Sequence, residues 1–210
     1  MKKQKILILS PHTDDAELGA GGYISKIIEE GHEIMWIVFS SARESLPEGI
    51  PDNTLSQEFK SVVNSLKINN YIIYDYKVRW LHTHRQEVLE SLVQARKNFE
   101  PNLVIGPSIH DYHQDHQVVA HEMIRAFKSY CSIICYELPW NNVQFDNQMF
   151  VRLEQRHIDA KIQLLQHYKS QIKLKRSYFE SDFIIGHARV KGTCIATKYA
   201  ESFEVVRWII

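Results

Sequence analysis

The sequence predicts an α/β fold in which a mostly parallel sheet lies between two layers of helices. Short apolar runs typical of buried strands alternate along the chain with longer segments whose apolar residues recur at helical spacing. Because two parallel strands need a crossover between them, this alternation favours a sheet that is covered on both faces. We therefore expect one Rossmann-like, three-layer domain over residues 1–210, without internal repeats or linkers.

The predicted elements follow the same order from the first strand onwards. Residues 6–9 form an apolar run, and residues 18–28 show helical spacing that ends at Gly31. The pattern continues with strands at 34–39, 71–76, 103–106 and 133–138 and helices at about 57–66, 88–99 and 115–130. The last third is less regular, and there we expect a helix at about 153–168 and strands near 194–197 and 203–206.

Composition narrows the class of partner. The 25 basic residues balance the 25 acidic ones, so no excess of charge favours nucleic acid or an anionic membrane. We expect a small-molecule substrate and no nucleic-acid partner. The run at residues 6–9 is too short for a signal-peptide core, and no stretch has the ~20 apolar residues of a transmembrane helix. The three cysteines lack disulfide or zinc spacing, so we expect a cytoplasmic protein.

Two segments that follow predicted strands contain most of the chemically versatile side chains. Residues 11–22, after the first strand, read PHTDDAELGAGG, and residues 110–116, after the fourth strand, read HDYHQDH. In a parallel sheet, ligands bind beyond the carboxyl ends of the strands, where such loops lead into helices. The imidazole of His12 and the carboxylate of Asp15 can converge on one cation there, and the second segment supplies further nitrogen and oxygen donors.

These donors are typical of a hydrolytic metal site. Catalytic zinc takes three His or carboxylate ligands and keeps a position for water, whose pKa falls to about 7. His12 and Asp15 with one further histidine would complete the set, while Asp14 stays free as a general base. A second imidazole could stabilise the oxyanion of an amide under attack. Spacing alone leaves the third ligand open among His110, His113 and His116.

Both segments resemble the motifs of a known family, the LmbE/PIG-L group of zinc-dependent N-acetyl-sugar deacetylases. PHTDDAELGAGG resembles its first motif, and HQDH at residues 113–116 resembles its second, which is usually HPDH. The similarity continues through residues 161–171 and 200–203, so that it covers nearly the whole chain. The two metal motifs are its specific part.

The resemblance implies a role for each motif residue. Zinc would be held by His12, Asp15 and His116, although another divalent metal could occupy such a site. Asp14 would be the general base, and His113 would stabilise the tetrahedral intermediate and help to protonate the leaving amine. Asp115 would not bind the metal itself but would hold the tautomer and orientation of an imidazole.

The implied activity is the removal of an N-acetyl group from an amino-sugar derivative by metal-activated water. One alternative is an amidase that cleaves a larger acyl group from a thiol or glycoside conjugate with the same residues. Another is a metal-binding or carbohydrate-binding module without turnover. Because members of the family are often homo-oligomeric, a homo-oligomer is a further expectation.

The chain departs from the family pattern at two places. Gln114 replaces the usual proline of the second motif, at a position that does not bind metal. Leu55 stands three residues before Glu58, where family members often have an arginine. Another arginine is therefore expected to contact the substrate, and the candidates are Arg43, Arg79 and Arg85.

Other interpretations of the same residues remain open. Asp14 and Asp15 could simply cap a helix. The glycines of the first motif do not match a dinucleotide-binding loop, because Ile24 stands where its third glycine belongs, and close helix packing explains them better. His82 or Tyr112 could contact substrate, and an aromatic stretch could pack in the core or stack on a sugar ring. That stretch contains Tyr136, Trp140 and Phe145.

Overall fold

The computed structural model describes residues 3–210 and has the predicted α/β class. Its strands are β1 (Lys5–Ser10), β2 (Glu33–Val38), β3 (Tyr71–Ile73), β4 (Leu103–Pro107), β5 (Ser132–Tyr136), β6 (Met149–Leu153) and β7 (Tyr199–Arg207). Its α-helices are α1 (Asp15–Glu29), α2 (Thr54–Ser65), α3 (Arg85–Phe99), α4 (Gln114–Phe127), α5 (Gln155–Leu165), α6 (Lys169–Lys173) and α7 (Ser181–Thr193).

The strands form one sheet in the order β3-β2-β1-β4-β5-β7-β6. The first five strands of that order are parallel, whereas β7 is antiparallel to both β5 and β6. The chain builds outwards from β1 to β3 and then crosses back to place β4 on the other side of β1. Such a reversal opens a crevice at the carboxyl ends of the two central strands, which are the strands that precede the two motif segments.

Two apolar cores cover the two faces of the sheet. Ile6 and Ile8 of β1 face one core, and Leu7 and Leu9 face the other, because successive side chains of a strand point to opposite faces. Helices α1, α2, α5 and α7 cover the first face, and α3 and α4 cover the second. Within residues 3–210, none of the helices has the length and apolar character to cross a membrane.

The glycines of the first motif let α1 pack closely against its neighbours. A Cβ atom on Gly19 would lie 2.3 Å from Cδ2 of Tyr136, and one on Gly22 would lie 2.5 Å from Cδ1 of Leu153. Any larger side chain would push the helix away from the sheet. Close packing, and not phosphate binding, is therefore the role of these glycines.

The last third of the chain differs most from the prediction. The expected helix at 153–168 begins only at Gln155 and ends at Leu165, because the residues before it form strand β6. The expected strand near 194–197 is absent from the described chain, where Cys194 instead caps the end of α7. The apolar pattern did not predict helix α7, because few of its apolar residues are buried. Its buried residues include Lys191 instead, which forms an ion pair with Glu137.

Glu201 on β7 connects three elements inside the protein. Its carboxylate accepts hydrogen bonds from the backbone N–H groups of Gly22, at 3.0 Å, and Tyr23, at 2.7 Å, both in α1. It also forms an ion pair with Lys161 of α5 at 2.8 Å, and both side chains are buried. The resemblance at residues 161–171 and 200–203 thus includes a tertiary contact that sequence comparison alone does not reveal.

We predict that Glu201→Ala lowers the free energy of unfolding by about 3–5 kcal/mol, because it leaves the Lys161 ammonium buried without a counter-ion. Urea denaturation followed by circular dichroism measures the change. A single cooperative transition is also expected if residues 1–210 are one domain. Glu29→Ala is the matched control, since Glu29 also joins α1 to α5 but pairs with Arg156 at the surface. An equal loss of stability in both variants would contradict the prediction.

Candidate active site

The first motif segment turns sharply between β1 and α1. The backbone N–H of His12 donates to Oδ2 of Asp15 at 2.7 Å, which closes the turn. Asp14 occupies the N-cap position of α1, but its side chain makes no capping hydrogen bond. Helix capping therefore does not account for Asp14, whose carboxylate is left free at the carboxyl edge of the sheet.

The second motif segment places its histidines at the start of α4. His113 is the N-cap residue, and its Nδ1 accepts a hydrogen bond from the backbone N–H of Asp115 at 3.2 Å. His116 lies in the first turn of the helix and is buried. His110, an alternative third ligand by spacing, is exposed and belongs to no metal-ligating cluster of the described residues.

Three side-chain atoms from the two segments meet in a small triangle. Nδ1 of His12 lies 3.1 Å from Oδ2 of Asp15 and 3.1 Å from Nε2 of His116, and the latter two atoms are 3.2 Å apart. A tetrahedral zinc ion with bonds of about 2.0–2.1 Å separates its ligand atoms by about 3.3 Å. The triangle thus has the size of one face of such a site, and its two nitrogens and one carboxylate oxygen are donors that zinc accepts.

A wider histidine cluster includes the same position. Ligand atoms of His12, His113 and His116 all lie within 4.8 Å of one another, so this set could also hold a metal ion. The distances between the ligand atoms of this histidine cluster reach larger values than those between the three atoms of the triangle with Asp15. Because Nδ1 of His113 accepts a hydrogen bond, the proton of its neutral ring is on Nε2, which makes that nitrogen a donor rather than a ligand.

Two carboxylates behind the triangle hold the histidine rings. Nε2 of His12 donates to Oδ2 of Asp115 at 3.1 Å, and Nδ1 of His116 donates to Oδ2 of Asp111 at 2.7 Å. Asp115 is held in turn by the backbone N–H groups of Arg79 and Leu81. With these protons directed outwards, the other two ring nitrogens face the triangle, where each can present a lone pair to a cation once its second proton has left, as metal-binding histidines do.

The triangle attracts positive charge. Burial disfavours a charged His12, but the Asp15 carboxylate and the hydrogen bonds outweigh it and raise the pKa of His12 to about 9. Burial is likewise outweighed by Asp15 and Asp111 at His116, whose pKa rises to about 10. Against the cost of burial, the two imidazoles lower the pKa of Asp15 below its usual range. A site that retains protons so strongly also favours a divalent cation, which would displace them.

The pKa values of the two remaining motif residues, Asp14 and His113, are shifted in opposite directions. Burial, followed by the charge of Asp15, raises the pKa of Asp14 to about 6. Burial, followed by the neighbouring His116 and His12, lowers the pKa of His113 to about 4. At neutral pH, His113 is therefore an uncharged hydrogen-bond donor, and Asp14 is poised near the pH at which it can exchange a proton.

A cavity of about 220 Å³ opens over these residues. Its floor is formed by His12, Thr13, Asp14, Asp15, His113 and His116. Around them lie Leu18, Ala42, Ser45, Leu55, Val78, Trp140, Asn141, Gln171, Arg176 and Tyr178. The cavity is smaller than the roughly 300–1,000 Å³ clefts that bury drug-sized ligands, so a larger ligand would enter it only in part.

The arginine of the cavity is not one that the sequence suggested. Arg43 pairs with Asp75 at 2.8 Å, Arg85 pairs with Glu122 at 2.6 Å, and neither lines the cavity. Arg79 contributes its backbone N–H to Asp115, and its side chain does not line the cavity either. Arg176, which follows α6, lines the cavity, and no local sequence motif indicated it.

The aromatic candidates are divided between core and cavity. Trp140 lines the cavity, whereas Tyr136 is buried in the core and donates its hydroxyl to the carbonyl of Leu9. Phe145 lies against Lys191, away from the cavity. His82 stacks on Trp80, and Tyr112 is 68% exposed, so neither belongs to the cavity wall.

Sequence reasoning also missed two positioning residues. Asp111 was part of the second segment, but only the folded loop shows that it is the partner of His116. Glu58 accepts two hydrogen bonds from Ser170, which fixes the segment that brings Gln171 into the cavity. A carboxylate near metal-binding histidines is a signal for the first residue, whereas the family pattern marks Glu58 without indicating its contact with Ser170.

A buried, cation-favouring triangle with a free carboxylate, at the carboxyl edge of an α/β sheet, is typical of a metal-dependent hydrolase. Residues 7–127 match the family model described as PIG-L: GlcNAc-PI de-N-acetylase. This match covers more than half of the chain and includes both motif segments. The chain belongs to this family, as its motifs indicated.

Known proteins resemble the chain over most of its length. The deacetylase YaiS of Escherichia coli K12, described as uncharacterized, is 25% identical over 174 residues, which are 80% of this chain and 92% of YaiS. The N,N'-diacetylchitobiose deacetylase of Pyrococcus horikoshii has a TM-score of 0.81 at 17% identity, over 98% of this chain and 84% of that one. GalB of Pseudomonas putida KT2440, a 4-carboxy-2-hydroxymuconate hydratase, has a TM-score of 0.81 at 16% identity, over 99% of this chain and 98% of GalB. At such identities these structures share the fold.

We predict that zinc binding releases protons and strengthens as the pH rises. With pKa values raised to about 9 and 10, His12 and His116 are protonated below those values in the metal-free protein, and a cation must displace the protons. Between pH 6 and 8 the affinity should rise roughly tenfold per pH unit for each proton released. Calorimetric titration in buffers of different ionisation enthalpy measures both quantities. An affinity independent of pH over this range would contradict the assignment.

We also predict that Asp111→Ala weakens zinc binding about 10–100-fold, because His116 loses the carboxylate that orients its ring. Competition with a chromophoric chelator measures the affinity. Asp75→Ala is the control, since it removes a carboxylate that pairs with Arg43 outside the cavity. The role of Asp111 is refuted if both variants bind zinc as the unmodified protein does.

Proposed function

We propose that the protein is a zinc-dependent hydrolase that removes an N-acetyl group from an amino-sugar derivative. The observation that supports this most directly is the triangle of His12, Asp15 and His116, with the uncapped Asp14 beside it on the cavity floor. Membership of a de-N-acetylase family agrees with the chemistry of these side chains.

In this proposal, zinc is held by Nδ1 of His12, Oδ2 of Asp15 and Nε2 of His116. When bound, the cation supplies Lewis acidity, which polarises a carbonyl and allows a water molecule to ionise near neutral pH. Asp115 and Asp111 hold the two rings in the tautomers that this requires. The same donor set can accept other divalent metals, so the metal is part of the proposal.

Asp14 acts as the general base. Its carboxylate accepts a proton from the water molecule that attacks the amide carbon, and the departing nitrogen requires one proton in return. Burial and Asp15 raise the pKa of Asp14 to about 6 before the cation binds. A nearby dication lowers that pKa, so Asp14 is ionised and competent as a base at neutral pH.

His113 stabilises the oxygen that gains negative charge during the attack. Because Nδ1 of His113 is occupied by the backbone N–H of Asp115, the neutral ring presents Nε2–H as a donor. Its lowered pKa, about 4, keeps the ring neutral over the working range of pH. The proton for the leaving amine would be the one that Asp14 accepted from water, and His113 would assist this transfer through its hydrogen bond at the reacting amide.

The size of the cavity supports a small acyl group. A volume of about 220 Å³ suits an acetamido group with part of a sugar ring, and the remainder of the substrate would lie at the rim. We further propose that the protein acts in the cytoplasm, in agreement with three free cysteines, two of which are buried. Homo-oligomer formation stays a prediction.

We predict that Asp14→Asn retains zinc but lowers kcat at least about 100-fold, because the amide cannot accept the proton of the attacking water. Metal analysis of the purified variant and release of acetate from N-acetyl amino sugars measure the two properties. Asp52→Asn is the matched control, since it makes the same change of charge at a residue outside the cavity. Normal turnover in a zinc-loaded Asp14→Asn variant would refute the role of Asp14.

The same assay distinguishes the alternatives. Faster release of a longer acyl chain than of acetate, from thiol or glycoside conjugates, would indicate the amidase. Binding of zinc and amino sugars without release of any acid, at any substrate concentration, would indicate a binding module. Acetate release that depends on added zinc supports the deacetylase.

A further inference from the structure

Arg176 reaches the cavity through an unusual turn of the backbone. Helix α6 ends at Lys173, and Lys175 adopts a left-handed conformation with φ of 52°. A non-glycine residue seldom adopts this conformation, so the surrounding structure must favour the turn. The next residue, Arg176, lines the same cavity as Asp14 and Asp15.

The guanidinium of Arg176 has no carboxylate partner within residues 3–210. Its Nη1 donates a hydrogen bond to the hydroxyl of Tyr178, and this is its one hydrogen bond to the described residues. Arg43 and Arg85 differ, because each pairs with a carboxylate. Arg176 is therefore an exposed positive charge that lines the cavity, and four of its five N–H donors bind none of the described residues.

The neighbours of Arg176 hold it at this position. The ring of Tyr178 stacks on the indole of Trp140, with centroids 3.9 Å apart and an angle of 12° between the planes. Both rings line the cavity, so the hydroxyl that binds Arg176 belongs to a stacked aromatic pair of its wall. The hydrogen bond to this hydroxyl restricts the guanidinium before a ligand arrives, which lowers the side-chain entropy that is lost on binding.

The charge of Arg176 does not serve the cavity floor by direct contact. Among the described residues, no ion pair within 4.0 Å joins the side chains of Arg176 and Asp14. Among the described residues that line the cavity, Arg176 is the one lysine or arginine, so it is the permanently cationic side chain of the wall. Its planar fork of donors fits the two oxygens of a carboxylate or phosphate.

We propose that Arg176 is a specificity-determining residue that binds an anionic group of the substrate, a carboxylate or a phosphate. This inference rests on the proposed function, because it takes the N-acetyl group to lie over the cavity floor. The small volume of the cavity leaves the rest of the amino sugar on its solvent side, and Arg176 is an exposed lining residue. The substrate class is then an acidic N-acetyl amino sugar rather than a neutral one.

The test compares acidic and neutral substrates in three forms of the zinc-loaded protein: unmodified, Arg176→Gln and Lys173→Gln. N-acetylglucosamine 1-phosphate and N-acetylmuramic acid supply a phosphate and a carboxylate, and methyl N-acetylglucosaminide is the neutral reference. Lys173→Gln removes the same charge from an exposed residue that does not line the cavity. The quantity measured is the ratio of kcat/KM for each acidic substrate to that for the neutral one.

We expect this ratio to be roughly ten in the unmodified protein, mainly through KM, since an exposed arginine binds an anion less strongly than a buried one. Arg176→Gln should lower the ratio to about one, and Lys173→Gln should leave it unchanged. The acidic substrate with the higher ratio identifies carboxylate or phosphate as the group. A ratio near one in the unmodified protein, or one that Arg176→Gln leaves unchanged, overturns the inference.

Calorimetric binding of the same three sugars separates this inference from the proposed function. If no sugar is hydrolysed, the proposed function fails, and the ratio of dissociation constants still tests Arg176. If all are hydrolysed with equal kcat/KM and bind equally, the proposed function stands and the inference about Arg176 is wrong. Tyr178→Phe keeps the stacked ring but removes the hydroxyl that holds Arg176, so it should lower the ratio by a smaller factor.

Discussion

The site depends on the convergence of two loops that are about a hundred residues apart in the chain. The adjacent, parallel strands β1 and β4 end at the same edge of the sheet, so the loops that follow them must meet. Their side chains then form a triangle in which one carboxylate lies between two imidazoles. Packing of α1 also supports this arrangement, because the motif glycines allow the helix to approach the sheet closely.

The carboxylates around this triangle divide the chemistry between them. Asp15 lies at the centre and attracts positive charge, whereas Asp111 and Asp115 lie behind the rings and orient them. Asp14 makes no capping hydrogen bond, and we propose that it takes part in proton transfer. In the proposed mechanism, these four acidic residues have three roles, which follow from the hydrogen bonds of each and not from its residue type.

The cavity combines two parts of different origin. Its floor comes from the two loops within the segment that matches the family model, and much of its wall comes from residues 140–178, beyond that segment. The fold alone does not choose the substrate, since a deacetylase and a hydratase share it with this chain. Selectivity should therefore reside in the wall, to which Trp140, Arg176 and Tyr178 belong.

The sequence by itself determined the α/β class, the parallel central strands and the family, because apolar periodicity and short motifs are local signals. It also brought His12, Asp14, Asp15, His113, Asp115 and His116 together as the candidate site, and the structure places them all around one position. The edge of the sheet was predicted poorly, since β6 and α7 depend on contacts with β7 and on the buried ion pair of Lys191.

Only the tertiary structure decided which carboxylate holds which imidazole and which arginine reaches the cavity. Arg43, Arg79 and Arg85 were reasonable candidates by their position in the chain, yet two pair with carboxylates elsewhere and the third acts through its backbone. Arg176 lies 60 residues after His116 and comes to the cavity through the left-handed turn at Lys175. Such contacts leave no local pattern, because they depend on how separate elements pack and not on the spacing of residues within one element.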